Sequence, residues 1–165
     1  MGAGKTTIGR CLAEILHWQF LDSDHEIEAR TGASIPWIFD VEGEEGFRRR
    51  EQAMIDELTR QQHIILATGG GAVLRPNNRR HLHERGFVIY LETPVAMQLE
   101  RTAMDRNRPL LQTPNPEQKL TELLKIRDPL YRQVAHLIVP TTDGCARDLA
   151  QKIVQSLPLP PSASK

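Results

Sequence analysis

The stretch Met1-Gly-Ala-Gly-Lys-Thr-Thr-Ile-Gly-Arg10 decides the fold. Gly2, Ala3 and Gly4 are small enough for backbone N–H groups to converge on an anion, and the helix that opens behind them adds its positive N-terminal end. Lys5 is placed to reach the outer phosphates of a nucleotide and the Thr6 hydroxyl to hold a magnesium ion, as in the G-x-x-x-x-G-K-[ST] pattern. The first Gly of that pattern has no counterpart here, nor has the apolar strand that delivers a chain to such a loop. The competing reading is a flexible start to an ordinary amphipathic helix, so the rest of the chain must decide.

Outward from that loop, Ile8, Leu12, Ile15 and Leu16 mark one face of a helix ending near His17. Gln19 to Asp22 reads as a short strand whose end carries the polar cluster Asp22-Ser-Asp24, where α/β sheets place their chemistry. A short helix follows over Asp24 to Arg30. A second covers Ser34 to Val41, with Ser34 as N-cap and Pro36 in the first turn. Gly43 breaks it, and a longer helix begins at Glu44 with Phe47, Met54, Ile55 and Leu58 on one side. Arg48, Arg49 and Arg50 near its start oppose the helix dipole, which hints at an anion; a solvated basic face balanced by Glu44, Glu45 and Glu51 is the plainer reading.

His63 to Thr68 is an apolar strand followed directly by Gly69, Gly70 and Gly71, so the backbone there must turn tightly or let a ligand come close. Pro76 to Arg85 is a helix, Phe87 to Leu91 a buried strand, and Val95 to Asp105 a helix. The polar run from 105 to 116, with Arg106, Arg108 and three prolines, reads as a mobile lid. A helix resumes at Glu117, is expected to be interrupted near Arg127-Asp128-Pro129, and continues to Ala135. His136 to Val139 is the last strand and Ala146 to Leu157 the last helix, with a disordered tail over 158–165. Alternating helices and apolar strands predict an α/β fold with a parallel sheet, four strands being visible and a fifth, central one needed by the loop.

A chain of 165 residues suits one domain, here 1–157. Its 21 basic and 21 acidic side chains cancel, so the overall field favours neither nucleic acid nor an anionic membrane surface as partner. Arginine supplies 16 of the basic residues, the type whose planar fork grips phosphate and carboxylate at two points. Cys11 and Cys145 form no metal-site or disulfide pattern, and no membrane span or secretory signal is visible; a reducing, cytoplasmic setting is expected.

Six segments carry a resemblance to a known family. They are Gly2-Ala-Gly-Lys-Thr-Thr7, Leu21-Asp-Ser-Asp24, Gly43-Glu-Glu-Gly-Phe-Arg48, Thr68-Gly-Gly-Gly71, Arg108-Pro-Leu-Leu111 and Arg127-Asp-Pro-Leu-Tyr131. In this order and near these spacings the chain from Met1 to about Leu157 resembles shikimate kinase, a small P-loop kinase. The resemblance implies a nucleoside monophosphate kinase-like, three-layer α/β/α fold with a five-stranded parallel sheet, a substrate-binding region over about 24–60 and a lid over about 105–116. It implies transfer of the ATP γ-phosphoryl group to the shikimate 3-hydroxyl, on the way to the aromatic amino acids, with Mg²⁺ as cofactor, no nucleic acid or membrane partner, and a monomeric state.

Residue by residue, the resemblance implies that Gly2, Ala3, Gly4, Lys5, Thr6 and Thr7 cradle the phosphates. Thr6 and, through water, Asp22 hold the metal. Asp24 contacts the reacting hydroxyl, while Arg48, Gly69, Gly70, Gly71 and Arg127 form the shikimate site. Arg108 reaches the phosphates from the lid, and Arg101 lies by the adenine. Lys5, Asp24 and Arg108 form the catalytic set. Another hydroxy-acid or nucleoside monophosphate kinase of the same fold, and a weakly active or inactive remnant, are the alternatives. Without a first strand the chain is expected to be destabilised and to bind ATP poorly, with a version about ten residues longer as the working enzyme.

Overall fold

The computed structural model describes residues 1–103 and 108–158. Helix α1 (Lys5–Leu16) follows the glycine loop, and strand β1 (Gln19–Asp22) leads through Asp22 into α2 (Ser23–Thr31). The Asp22 carboxylate caps α2 by accepting from the backbone N–H of Asp24 and His25. Ser34 caps α3 (Ile35–Leu58) in the same way, and α3 is interrupted where expected, at Gly43. Then come β2 (Ile64–Ala67), α4 (Pro76–Arg85), β3 (Ile89–Glu92), α5 (Val95–Thr102), α6 (Pro116–Val134), β4 (Leu137–Pro140) and α7 (Ala146–Gln155).

Two expectations about helices need correction. Helix α6 runs unbroken from Pro116 to Val134 with Pro129 inside it. A proline removes one backbone donor, but the tertiary bonds of Asp128 with Tyr90, Tyr131 with Gly70 and Arg132 with Glu92 hold the surrounding turns in place. Helix α5 ends at Thr102, earlier than sequence spacing suggests. Of the expected lid, residues 105–107 lie outside the described residues, as do 159–165 of the expected tail. The described part of the lid includes a 3₁₀ turn over Pro109–Leu111.

The four strands form two parallel pairs, β1 with β2 and β3 with β4, instead of one continuous sheet. Gln19 pairs with Ile64 and Asp22 with Ala67, while Ile89 pairs with Leu137 and Glu92 with Pro140. Alternation along β2 sends its side chains to both faces. Ile64 and Leu66 join Leu21, Ile27, Ile38, Phe47 and Leu58 beneath α2 and α3. Ile65 instead joins Ile89, Leu91 and Val139 beneath α1 and α7, where Leu12, Ala150 and Ile153 are buried. On the far side of β3, Tyr90 meets Tyr131 and Asp128 of α6. Helices therefore cover both faces of the strands, giving the three layers expected.

Between the pairs lies an apolar slot of about 670 Å³. Ile64 to Ala67 of β2 and Ile89 to Leu91 of β3 line it from opposite sides, and Ile8 and Leu12 of α1 form part of its wall. Among the described residues no strand joins β2 to β3. The sequence expectation of a central strand thus corresponds to a physical gap, at the place where two strand edges lack a backbone partner.

Candidate active site

All the strands run parallel within their pairs, so their C-terminal ends carry the loops that build the site. Gly4 is the residue preceding α1, and no side chain caps that helix. Gly2 and Gly4 adopt φ of 65° and 81°, a left-handed geometry that glycine accepts without strain. The loop backbone and the first turn of a 12-residue helix are therefore shaped to receive an anion. A Cβ at Gly2 would lie 2.9 Å from the Gln98 carbonyl oxygen of α5, and Arg101 donates to the Gly2 carbonyl at 3.1 Å. Helix α5 thus braces the loop from behind.

Every residue assigned from sequence to phosphate, metal or acid recognition lines one cavity of about 300 Å³. The glycine loop, Lys5, Arg101 and Arg108 share it with Asp24, Arg48 and Arg127, and nothing in the set is left on another surface. Burial, followed by the nearby Arg108 cation, lowers the Lys5 pKa, against the pull of Asp24 and Asp22. Burial likewise raises the Asp24 carboxyl, helped by Asp22 and opposed by Lys5, Arg108 and Arg48. These three cations and two carboxylates are close enough to shape one another's charge.

The glycine triplet has a more specific purpose than a turn. None of the three has a positive φ, so conformational freedom is not what requires them. Each has its Cβ position taken by a side chain of the site. At Gly69 a Cβ would sit 3.0 Å from Glu51 Oε1 and 3.2 Å from Asp24 Oδ1. At Gly70 it would meet the Tyr131 hydroxyl at 3.1 Å and Arg127 Nη1 at 3.3 Å. At Gly71 it would overlap the Arg48 guanidinium, which no rearrangement short of moving that group could relieve. The triplet is the floor on which Asp24, Arg127 and Arg48 rest.

The arginine run splits in two. Arg48 is buried, donating to Glu51 Oε2 at 2.7 Å and Glu44 Oε1 at 3.2 Å, with its guanidinium 5.3 Å from the Phe47 ring centre. Arg49 and Arg50 are exposed and pair with Glu45 and Glu42. Of the three, Arg48 alone lines the cavity, and the solvated-face reading describes the other two. Burial works against the charge on Arg48, but Glu51 and Glu44 outweigh it and hold the guanidinium protonated.

Glu51 is the site residue that sequence reasoning missed. It is fully buried, and burial raises its carboxyl pKa against the attraction of Arg48. Its i, i+3 spacing from Arg48 is the signal that could have found it, because the pair shares one helix face. Among the described residues, Asp24 Oδ1, Glu51 Oε1 and Arg48 Nε are buried without a hydrogen-bond partner. Buried polar atoms left this way are costly unless a ligand meets them, and all three belong to residues lining the cavity.

A glycine loop with its lysine and threonine, a strand-end carboxylate and converging arginines on an α/β/α frame define a P-loop small-molecule kinase. The family model for shikimate kinase matches residues 1–158, and the chain belongs to the shikimate kinase family. The shikimate kinase of Acinetobacter baumannii (strain AYE) is 64% identical over 155 residues, covering 94% of this chain and 86% of that protein. The shikimate kinase of Halorhodospira halophila is 60% identical over 162 residues, covering 98% and 92%. Among solved structures, shikimate kinase from Acinetobacter baumannii in complex with shikimate superposes with a TM-score of 0.93 at 64% identity, covering 94% of this chain and 87% of that one. Shikimate kinase from Bacteroides thetaiotaomicron gives 0.88 at 28% identity, covering 96% and 94%.

Proposed function

We propose that this chain transfers the γ-phosphoryl group of ATP to the 3-hydroxyl of shikimate, giving shikimate 3-phosphate. The observation that carries this reading is a single cavity lined both by the glycine loop with Lys5 and by Asp24, Arg48 and Arg127. Gly2 to Thr7 hold the triphosphate, with loop N–H groups and Lys5 on the outer phosphates. Arg48 and Arg127 give a ring carboxylate charge-assisted recognition, the first from a rigid mount on Glu51 and Glu44. Asp24, with an unpartnered buried oxygen, accepts from the reacting hydroxyl and orients it.

Phosphoryl transfer passes through a loose transition state that asks mainly for in-line placement and for cations around the equatorial oxygens. Lys5 and Arg108 supply that charge from the residues present, and both lie near enough to Asp24 to shift its proton affinity. Because the proton leaves late, Asp24 serves more by orientation than by basicity, and its raised pKa leaves it ready to take the hydroxyl proton. The Thr6 hydroxyl and Asp22, on the same cavity, form an all-oxygen donor set that with phosphate oxygens and waters suits Mg²⁺. One Asp22 oxygen is already engaged in capping α2, which suits a contact through water. A Mg²⁺ held by these residues would supply positive charge to the phosphates.

The test is phosphorylation of shikimate, gluconate and AMP measured side by side with ATP. Turnover of shikimate alone, or far above the others, is expected. Turnover of another acceptor without shikimate would replace this reading, and binding of shikimate without turnover would make the chain a non-catalytic remnant. No helix among the described residues is long and apolar enough to cross a membrane. We infer a cytoplasmic monomer, to be checked by sedimentation of the purified chain.

A further inference from the structure

Tyr131 has no part in the site as described so far. It lies one turn after Arg127 on α6, half-buried, and lines the apolar slot instead of the substrate cavity. Its hydroxyl donates to the Gly70 carbonyl at 2.6 Å, and the Arg127 guanidinium lies close enough to act on that hydroxyl's charge. The Arg127 guanidinium, the Tyr131 hydroxyl and the Gly70 carbonyl are therefore neighbours. A Cβ added at Gly70 would fall within 3.3 Å of both the hydroxyl oxygen and Arg127 Nη1, so the three groups meet at one point.

The ring is held as firmly as its hydroxyl. It packs on Tyr90 with centroids 5.0 Å apart, and the Tyr90 hydroxyl donates to Asp128 at 2.8 Å. Asp128 in turn accepts from Arg132 Nε at 2.8 Å, and Arg132 also pairs with Glu92 at the end of β3. This network ties α6 to β3 behind the substrate cavity.

We propose that Tyr131 is a positioning residue for the acid substrate, coupling Gly70 to Arg127 so that backbone and guanidinium face the ligand at a fixed separation. The proposal rests on the reading above that Arg127 and Gly70 bind shikimate. A guanidinium has five N–H donors. The Tyr131 hydroxyl beside one of them limits the swing of the fork and leaves the others for a carboxylate. A cation beside a hydroxyl also makes it a better donor, so Arg127 strengthens the bond to Gly70. Burial raises the Tyr131 pKa, which keeps the hydroxyl protonated and donating across the neutral range. Removing only the hydroxyl leaves the Gly70 carbonyl without its partner and frees the Arg127 fork to swing.

The experiment compares Tyr131→Phe with Tyr90→Phe and Arg127→Lys in the full chain. For Y131F we expect KM for shikimate to rise about tenfold, equivalent to ~1.4 kcal/mol, while kcat and KM for ATP stay within about twofold. Y90F cuts the same aromatic cluster away from Gly70, so its KM for shikimate should stay at the wild-type value. If Y131F leaves that KM unchanged while R127K raises it, the positioning role is wrong and the site reading stands. If R127K leaves it unchanged too, both are wrong. An equal rise in Y90F and Y131F would reduce Tyr131 to a packing role and overturn the proposal.

A second readout does not depend on Y131F folding. The chain has two tyrosines, so 3-fluorotyrosine incorporated into the Y90F background labels Tyr131 alone. Its fluorine resonance should move on titration with shikimate and stay in place with ATP alone. No movement with shikimate would overturn the proposal.

Discussion

Two cavities of this molecule are opposites. The smaller one, about 300 Å³, is crowded with charge: arginines, a lysine and the carboxylates of Asp24 and Glu51 are fitted against glycines that leave no room for a methyl group. The larger, about 670 Å³, is walled mostly by aliphatic side chains and by strand edges. They meet along Met1, Ala3 and Lys5 of the loop and along Thr68, Gly69, Gly70 and Arg127, which line both. The lesson is that recognition and stability are built from separate materials that share a wall. Changes in the polar cavity should act on kinetic constants, and changes in the slot should act first on the melting temperature.

The hardest test of that division is Asp24→Asn. We expect kcat/KM for shikimate to fall by roughly 10²–10⁴-fold, with the melting temperature rising. The sign follows from linkage: a carboxyl whose folded pKa is raised contributes stability fully present below its unfolded pKa and lost as pH rises through the folded value. D24N escapes that loss, so its advantage in thermal melts should appear as pH climbs above the ordinary carboxylate range and then level off. A D24N protein less stable than wild type at neutral pH would show that the negative charge holds the site together.

Arg48→Ala breaks the division deliberately, because it strips the partner from fully buried Glu51. Losing one member of a buried pair costs about 3–5 kcal/mol, so denaturant unfolding should shift strongly while Arg49→Ala, on an exposed side chain, shifts by about 0–1 kcal/mol. Similar values for the two would mean that Glu51 is protonated and needs no partner.

The slot is tested from the other side. Extending the chain ahead of Met1 by about ten residues, with an apolar extended stretch ending in glycine, should place a strand between β2 and β3. Each well-buried aliphatic side chain contributes about 1.5–3 kcal/mol, offset in part by the entropy of ordering the segment. A net gain equal to one such side chain corresponds to roughly 4–10 °C in thermal midpoint. ATP affinity should rise with it, because the strand would anchor the glycine loop. Equal melts and equal ATP titrations for the two lengths would show that the slot is not a strand site.

The finest probe is Gly71→Ala. Its Cβ would overlap the Arg48 guanidinium, forcing it away from the acid. KM for shikimate should rise about tenfold, the worth of one charge-assisted hydrogen bond, with KM for ATP unchanged. A shift in both constants would place Gly71 nearer the phosphates than the geometry does.

Much of the molecule is legible without coordinates. Strands β1 and β2, the break at Gly43 and the cap at Ser34 follow from local chemistry, since a short apolar run, a glycine and a short polar side chain act over a few neighbours. Pro129 misleads for the complementary reason: propensity weighs one lost hydrogen bond, while contacts from β3 and the Gly70 loop, far away in sequence, decide that α6 continues. Glu51 escapes notice because three adjacent arginines look alike in a string, and burial alone separates Arg48 from Arg49.

The linear order of residues determined the phosphate loop, the alternation of helix and strand, and the short motifs whose side chains carry the chemistry, because each is a local property of backbone freedom or periodicity. Only the tertiary structure decided that these motifs close on one cavity, that each glycine of the triplet yields its space to a different side chain, and that the strands part into two pairs around a slot. Those outcomes depend on distances between residues far apart in the chain, and no local propensity encodes a distance.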